Sequence, residues 1–178
     1  TNPFTVDTSC AEFDFDKGVL AELRKHASKL FKALEMQNGL IHSQFILGEG
    51  RYWIIEVTRR CPGDLYALLI EMSTGYPYGA SYATSFLGEN PVPRSAARLQ
   101  ERIVRHTATS KLGQSLWGFH FTQPVDLRFF VPLAEAGEYI KPSPYGRAGV
   151  FFLAAKSDDE QSAIYKSLLD GGLYRYNL

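Results

Sequence analysis

The stretch Gly39–Asp64 constrains this chain more than any other. Two apolar runs, GLIHSQFIL and RYWIIEVT, meet around Gly48, Glu49 and Gly50, and the polar loop RRCPGD follows. Apolar runs bounded by a glycine turn predict a β-hairpin. Polar residues interrupt both runs: His42 and Gln44 in the first, Glu56 and Thr58 in the second, with Arg59 and Arg60 just behind. Side chains alternate across a strand, so register decides whether these residues meet. A three-residue loop, Glu49 to Arg51, pairs Gln44 with Glu56 and Phe45 with Ile55. A two-residue loop sets Gln44 against Ile55 and mixes the faces, which burial disfavours. The expectation is therefore a polar face carrying His42, Gln44, Glu56 and Thr58. A carboxylate on an apolar strand is costly to bury unless it is paired or holds a cation. Either Glu56 pairs structurally with Arg59 or Arg60, or it is a ligand, and spacing leaves both open.

Around this hairpin the chain reads as alternating helices and strands. Val19, Leu20, Leu23, Ala27, Leu30, Phe31 and Leu34 recur at helical spacing, predicting an amphipathic helix over Lys17–Met36. Asp16 is its expected N-cap, and Asn38 with Gly39 its stop. His26 on that helix is read as a surface side chain. Before it, Pro3–Val6 is expected as a short strand, with Phe13 and Phe15 as anchors. After the hairpin, Asp64 is expected to cap a helix over Leu65–Met72, whose N-terminus near Arg60 would favour an anion. STGYPYG ends it, and Ser81–Leu87 reads as a further short helix.

The best boundary lies at Asn90–Arg94, which contains two prolines. It divides the chain into residues 1–89 and a β-rich segment, 90–178. Arg98, Arg102 and Arg105, with Arg94 a turn earlier, fall on one helical face and read as a solvated stripe. Strands are expected at Trp117–Thr122, Asp126–Val131 and Val150–Ala154, with His120 a core or edge histidine. Ser157 and Glu160 form a capping box for a last helix that stops at Gly171 and Gly172.

The composition excludes some partners. The 178 residues include 19 basic and 19 acidic side chains, a formal net charge of zero, so bulk charge favours neither nucleic acid nor membrane. The longest apolar run falls short of the ~18 residues of a membrane span. Cys10 and Cys61 are too few for a disulfide framework, which makes a reducing, cytoplasmic setting the expectation. The sequence contains no GxxxxGK[ST] loop, GxGxxG, HExxH, CxxC or GxSxG.

From LIHSQF through IIEVTRRCPGD to LYALLIEMSTG, the chain resembles the C-terminal lobe of the ATP-grasp superfamily of carboxylate-amine ligases. The members share the order helix, strand with an acid, strand ending Glu-x-Asn-x-Arg or Glu-x-x-x-Arg, glycine loop and helix. The likeness covers roughly Phe4 to Gly88. It implies an α+β fold, an antiparallel sheet with flanking helices, followed by a β-rich C-terminal segment. It further implies ATP with Mg²⁺, or Mn²⁺ as an alternative, and small-molecule carboxylate and amine substrates. Glu56 takes the place of the carboxylate that bridges the metal ions, Thr58 that of the asparagine ligand, and Arg60 that of the arginine on the transferred phosphate. Gln44 stands where an acidic metal ligand is usual, a departure that removes one negative charge from the site. His42, Arg59, Gly63 and Asp64 are the weaker substrate-binding candidates. The resemblance also implies an N-terminal domain and a nucleotide-binding lobe that complete the site. The chain, which starts at Thr1, is thus expected to be a portion of a larger ligase, inactive alone, with a homodimer left open. A non-catalytic binding or scaffold module built on the same lobe is the competing reading, and Gln44 and Thr58 are its best support. A metal-dependent hydrolase using His42 and Glu56 ranks below both, since it lacks a third ligand.

Overall fold

The computed structural model describes residues 6–11, 16–36, 39–90 and 98–177. In chain order the elements are β1 (Thr8–Cys10), α1 (Lys17–Ala33), β2 (His42–Gly48), β3 (Arg51–Thr58), α2 (Tyr66–Thr74), α3 (Tyr78–Thr84) and β4 (Arg102–Ala108). They continue with β5 (Gln114–Ser115), β6 (Gly118–Phe121), β7 (Asp126–Pro132), β8 (Tyr139–Ile140), β9 (Gly149–Ala155), α4 (Asp158–Leu169) and β10 (Tyr174–Asn177). The expected anchors Phe13 and Phe15, the Asn38 half of the helix stop, most of the Pro3–Val6 strand and most of the Asn90–Arg94 boundary lie outside the described residues.

The chain forms two compact units. One comprises Thr1–Ala11, Met72–Thr74 and Leu99–Leu178, the other Glu12–Glu71 and Gly75–Arg98. The first is built on a four-stranded antiparallel sheet in the order β1-β4-β9-β7. β9, GVFFLAA, is buried at every position but its last, because strands flank it on both edges and the core covers its faces. Val104, Phe151, Leu153, Ile164, Leu168 and Leu173 form that core, with the rings of Phe119, Phe121, Phe130 and Tyr174 packed around it. Phe151 meets Phe119 edge-on at 4.8 Å and Tyr174 at 5.3 Å, the offset geometry aromatic quadrupoles favour. Ser157 caps α4 as expected, its hydroxyl accepting from the Glu160 amide at 3.2 Å. The Glu160 carboxylate accepts in return from the Lys156 amide, one residue before the cap, at 2.6 Å.

The arginine stripe is the largest correction here. Arg102 and Arg105 lie on β4, not on a helix, and Arg105 is fully buried. Three-residue spacing imitates a helical face, while a strand covered on both sides shows no two-residue alternation to betray it. Arg102 does stay at the surface, where it grips the Asp158 carboxylate at 2.6 and 3.0 Å. That pairing holds the Asp158 carboxyl below its ordinary range.

In the second unit, Asp16 caps α1 as its sequence predicts, accepting from the Val19 amide at 2.8 Å. The helix ends at Ala33, earlier than expected, because Glu35 turns left-handed at φ 49° before Gly39 is reached. His26 is exposed on α1 and hydrogen-bonds through Nδ1 with the Tyr52 hydroxyl of β3. Asp64 does not cap α2. Asp64 and Leu65 both take positive φ, 54° and 61°, forming a tight turn closed by Tyr66 N–H to Gly63 C=O at 3.2 Å. The helix therefore starts after the turn, and no side chain caps it. Gly75 ends it in the left-handed conformation, and the Glu71 carboxylate then accepts from the Gly79 amide at 2.7 Å, tying α2 to α3. The second short helix lies at Tyr78–Thr84, three residues earlier than expected at its start.

Candidate functional site

The hairpin forms, but by a different register from the one burial alone predicts. Gly48 pairs with Arg51, so the loop has two residues, Glu49 and Gly50. Both carry positive φ, 52° and 70°, as the tight hairpin turns that match strand twist require. Phe45 accordingly pairs with Ile54, not with Ile55, and Trp53 with Ile46. An irregularity between Gln44 and Phe45 then leaves Ile55 as an extra residue on β3. Beyond it Gln44 faces Glu56, Ser43 faces Val57 and His42 faces Thr58. The bulge thus restores the polar pairing that a two-residue loop would otherwise destroy.

The consequence is one polar face. Directly opposed residues share a face, so His42, Gln44, Glu56 and Thr58 lie together. The bulge also interrupts alternation along β3, which places Trp53, opposite Ile46, on this same side. Gln44 and Glu56 are exposed, while His42 and Thr58 are half-buried. Glu56 therefore avoids the desolvation that would oblige it to pair, and among the described residues no ion pair joins it to Arg59 or Arg60. Thr58 Oγ1 is buried and has no hydrogen-bond partner among the described residues. No group of three or more His, Cys, Asp or Glu side chains among them converges as a metal cluster.

Behind the hairpin, Arg60 donates through a terminal guanidinium nitrogen to the Cys61 carbonyl at 3.0 Å. Its remaining N–H donors find no protein partner among the described residues, which leaves a forked cation available to an anion. Arg59 turns the other way, its guanidinium lying over Gly39, where a Cβ would collide with it. Gly63 and Asp64 sit exposed in the turn before α2. Burial, reinforced by the Glu71 carboxylate, pushes the Cys61 thiol above its ordinary range, so this cysteine is not an activated nucleophile.

No protein-family profile and no curated protein matches the chain, whereas solved structures do. An L-amino acid ligase from Bacillus licheniformis superposes with a TM-score of 0.75 at 19% identity, over 99% of this chain and 47% of its own. Phosphoribosylglycinamide synthetase from Anaerococcus prevotii gives 0.73 at 18% identity, over 97% of this chain and 45% of its own. A biotin carboxylase–beta-gamma-ATP complex from Campylobacter jejuni gives 0.66 at 15%, over 96% and 39%. This chain thus spans less than half the length of these structures. At such identities the likeness concerns the fold, and the fold of this chain is that of the ATP-grasp lobe found in carboxylate-amine ligases, an α+β arrangement of antiparallel sheets and flanking helices.

Proposed function

We propose that this chain is part of an ATP-dependent ligase that joins a carboxylate to an amine, with the β2–β3 hairpin supplying ligands to Mg²⁺ and to the phosphates of ATP. The observation that carries this reading is the pairing of Gln44 with Glu56, with Thr58 next along the same face, in a chain whose fold such ligases share. The donor set suits the ion. A carboxylate, an amide oxygen and a hydroxyl are hard ligands, and Mg²⁺ is usually held by one or two carboxylates together with phosphates and water. In this reading the Thr58 hydroxyl, which has no partner among the described residues, acquires one. Glu56, Gln44 and Thr58 would hold Mg²⁺, or Mn²⁺ in its place, and the bound ion supplies charge neutralisation at the phosphate oxygens.

The chemistry asks two things of the chain's own residues. A substrate carboxylate oxygen attacks the γ-phosphorus of ATP and ADP leaves; the amine nitrogen then attacks the acyl carbon, phosphate departs and the nitrogen loses a proton. Arg60 binds the phosphoryl group in transit, where a planar fork of donors counters charge spread over several oxygens. His42, Arg59, Gly63 and Asp64 flank the substrates. Ile46, Trp53 and Ile55 stand 57%, 51% and 61% exposed, an apolar surface that favours cover by further lobes of the same protein. Those lobes supply the rest of the nucleotide site in a cytoplasmic enzyme, and the chain alone is inactive. No helix of the described residues is long and apolar enough to cross a membrane.

Calorimetric titration of the chain with ATP, with and without MgCl₂, tests its incompleteness: micromolar, Mg²⁺-dependent binding would refute it. In the full-length protein Glu56→Gln should abolish Mg²⁺-ATP turnover with the fold intact, and near-normal turnover would defeat the metal assignment. A second reading, a binding module that keeps the lobe without the chemistry, rests on Gln44, which leaves Glu56 the sole carboxylate on the polar face. Loss of activity in Glu56→Gln decides against it.

A further inference from the structure

A cavity of about 300 Å³ lies wholly within the unit built on the four-stranded sheet. Its polar wall is a hydrogen-bonded series: Thr8 Oγ1 lies 2.8 Å from His106 Nδ1, and His106 Nε2 lies 3.0 Å from the Tyr174 hydroxyl. Burial and the adjacent Arg105 push the His106 imidazole down to about 3, so the ring is neutral, with one nitrogen donating and the other accepting. Burial pushes the Tyr174 phenol up to about 12, with the Asp7 carboxylate contributing, so it keeps its proton. None of these groups serves the hairpin site, and none of them belongs to the unit that carries it.

Three further features point to an occupant. Ser143 Oγ is buried without a hydrogen-bond partner among the described residues, and it lines the cavity. A buried hydroxyl left unsatisfied is unfavourable and calls for a partner. Asp7 and Lys111, of opposite charge, line the same space, while Pro144 and Leu168 give it an apolar side. The volume is at the small end of ligand pockets, suited to a single amino-acid-sized molecule.

We propose that this cavity binds a small zwitterion of the class of a free α-amino acid with an apolar side chain. Its carboxylate meets Lys111 and the Ser143 hydroxyl, its ammonium group meets Asp7, and its side chain lies against Pro144 and Leu168. The proposal does not depend on the ligase reading, since no residue of the β2–β3 hairpin takes part.

Nitrogen-15 spectra of the full chain, titrated with leucine in the absence of nucleotide, test it. The expected result is saturable shifts at the amides of Thr8, Thr109, Lys111 and Gly171. Single-charge analogues, 4-methylpentanoate and 3-methylbutylamine, should bind at least about tenfold more weakly, the scale of one lost charge-assisted contact. Lys111→Ala and Ser143→Ala should each weaken leucine by about threefold or more while keeping the dispersion of the parent spectrum. Glu56→Gln should leave it unchanged, which separates this result from any failure of the ligase reading. Absence of saturable shifts up to about 20 mM, beyond the millimolar range expected of so small a ligand, would overturn the proposal. So would equal binding of either analogue, or shifts confined to residues 42–58.

Discussion

Gln44 lies directly across the hairpin from Glu56, and the two meet only because Ile55 drops out of the ladder between them. One neutral amide therefore shares a face with one carboxylate, an arrangement whose charge can be altered at a single position. Gln44→Glu would set two carboxylates opposite each other. Like charges facing across strands destabilise by roughly 0.2–1 kcal/mol, so the variant should melt at a lower temperature in the presence of EDTA. Millimolar MgCl₂ should recover the difference if both oxygens reach the ion. Thermal unfolding with and without Mg²⁺ measures this, and a midpoint indifferent to Mg²⁺ would place Gln44 away from the metal.

Thr58→Val separates stability from function. The Thr58 hydroxyl is buried without a partner among the described residues, so replacing it by a methyl of similar shape should be neutral or stabilising by up to about 1 kcal/mol. The same change removes a hard oxygen from the proposed site. Urea denaturation should show an unchanged or higher midpoint, while the full-length enzyme should need more Mg²⁺ for half-maximal turnover.

His106 makes stability depend on acid in a definite direction. Its folded value of about 3 lies below the ordinary value of 6.5, so the unfolded chain binds the proton more readily. This contribution is complete above about pH 6.5 and is lost as the pH falls from there towards 3. Its slope is at most about 1.4 kcal/mol per pH unit for one proton. His106→Gln should be less stable at pH 7, having lost its bonds to Thr8 and Tyr174. Between pH 4 and 6 its stability should fall less steeply, by close to one proton's worth. Urea titrations across that range give the slope, and identical slopes for the two proteins would contradict the assignment.

Gly149→Ala tests the packing of the central strand. A Cβ there would stand 2.6 Å from Phe130 Cζ and 2.9 Å from the Val131 carbonyl oxygen, so the Phe130 ring and the β7 backbone paired with β9 would have to shift. Overpacking of this kind typically costs about 1–3 kcal/mol. The urea midpoint should fall accordingly, while Gly50→Ala, which meets no atom within 4 Å, should lose less and only through its positive φ.

What the sequence disclosed follows from how local its signals are. Asp16, the apolar spacing of α1 and the Ser157–Glu160 pair are short-range features, and the helices they announce are found. The Gln44–Glu56 pairing was also legible, but through compensating details. A three-residue loop and no bulge gives the same polar pair as a two-residue turn with Ile55 bulged, and only backbone geometry distinguishes them. Asp64 departs from its expectation because the same residue types serve as helix caps and as left-handed turn residues. Arg105 departs from its expectation because a charged side chain argues for solvent, whereas here it is fully buried on β4, opposite Ser9 of β1, with a guanidinium nitrogen 3.5 Å from the Val6 carbonyl. The Thr8, His106 and Tyr174 network leaves no local signal in the sequence. Its members are 98 and 68 residues apart, and nothing in the sequence near any one of them points to the others.

The pairing of β1 with β4 bears on how this protein can be divided. The chain leaves the first unit after Ala11, contributes Met72–Thr74 to it and stays in it from Leu99 onward, so no single cut separates the units intact. A fragment starting at Leu99 would lack Thr8–Cys10, exposing the Val104–His106 edge and leaving His106 Nδ1 without its hydroxyl. Such an open edge invites pairing with a neighbouring chain. Adding back a short peptide spanning Val6–Ala11 would then be expected to close the edge, making the β1 segment a natural handle for split-protein complementation.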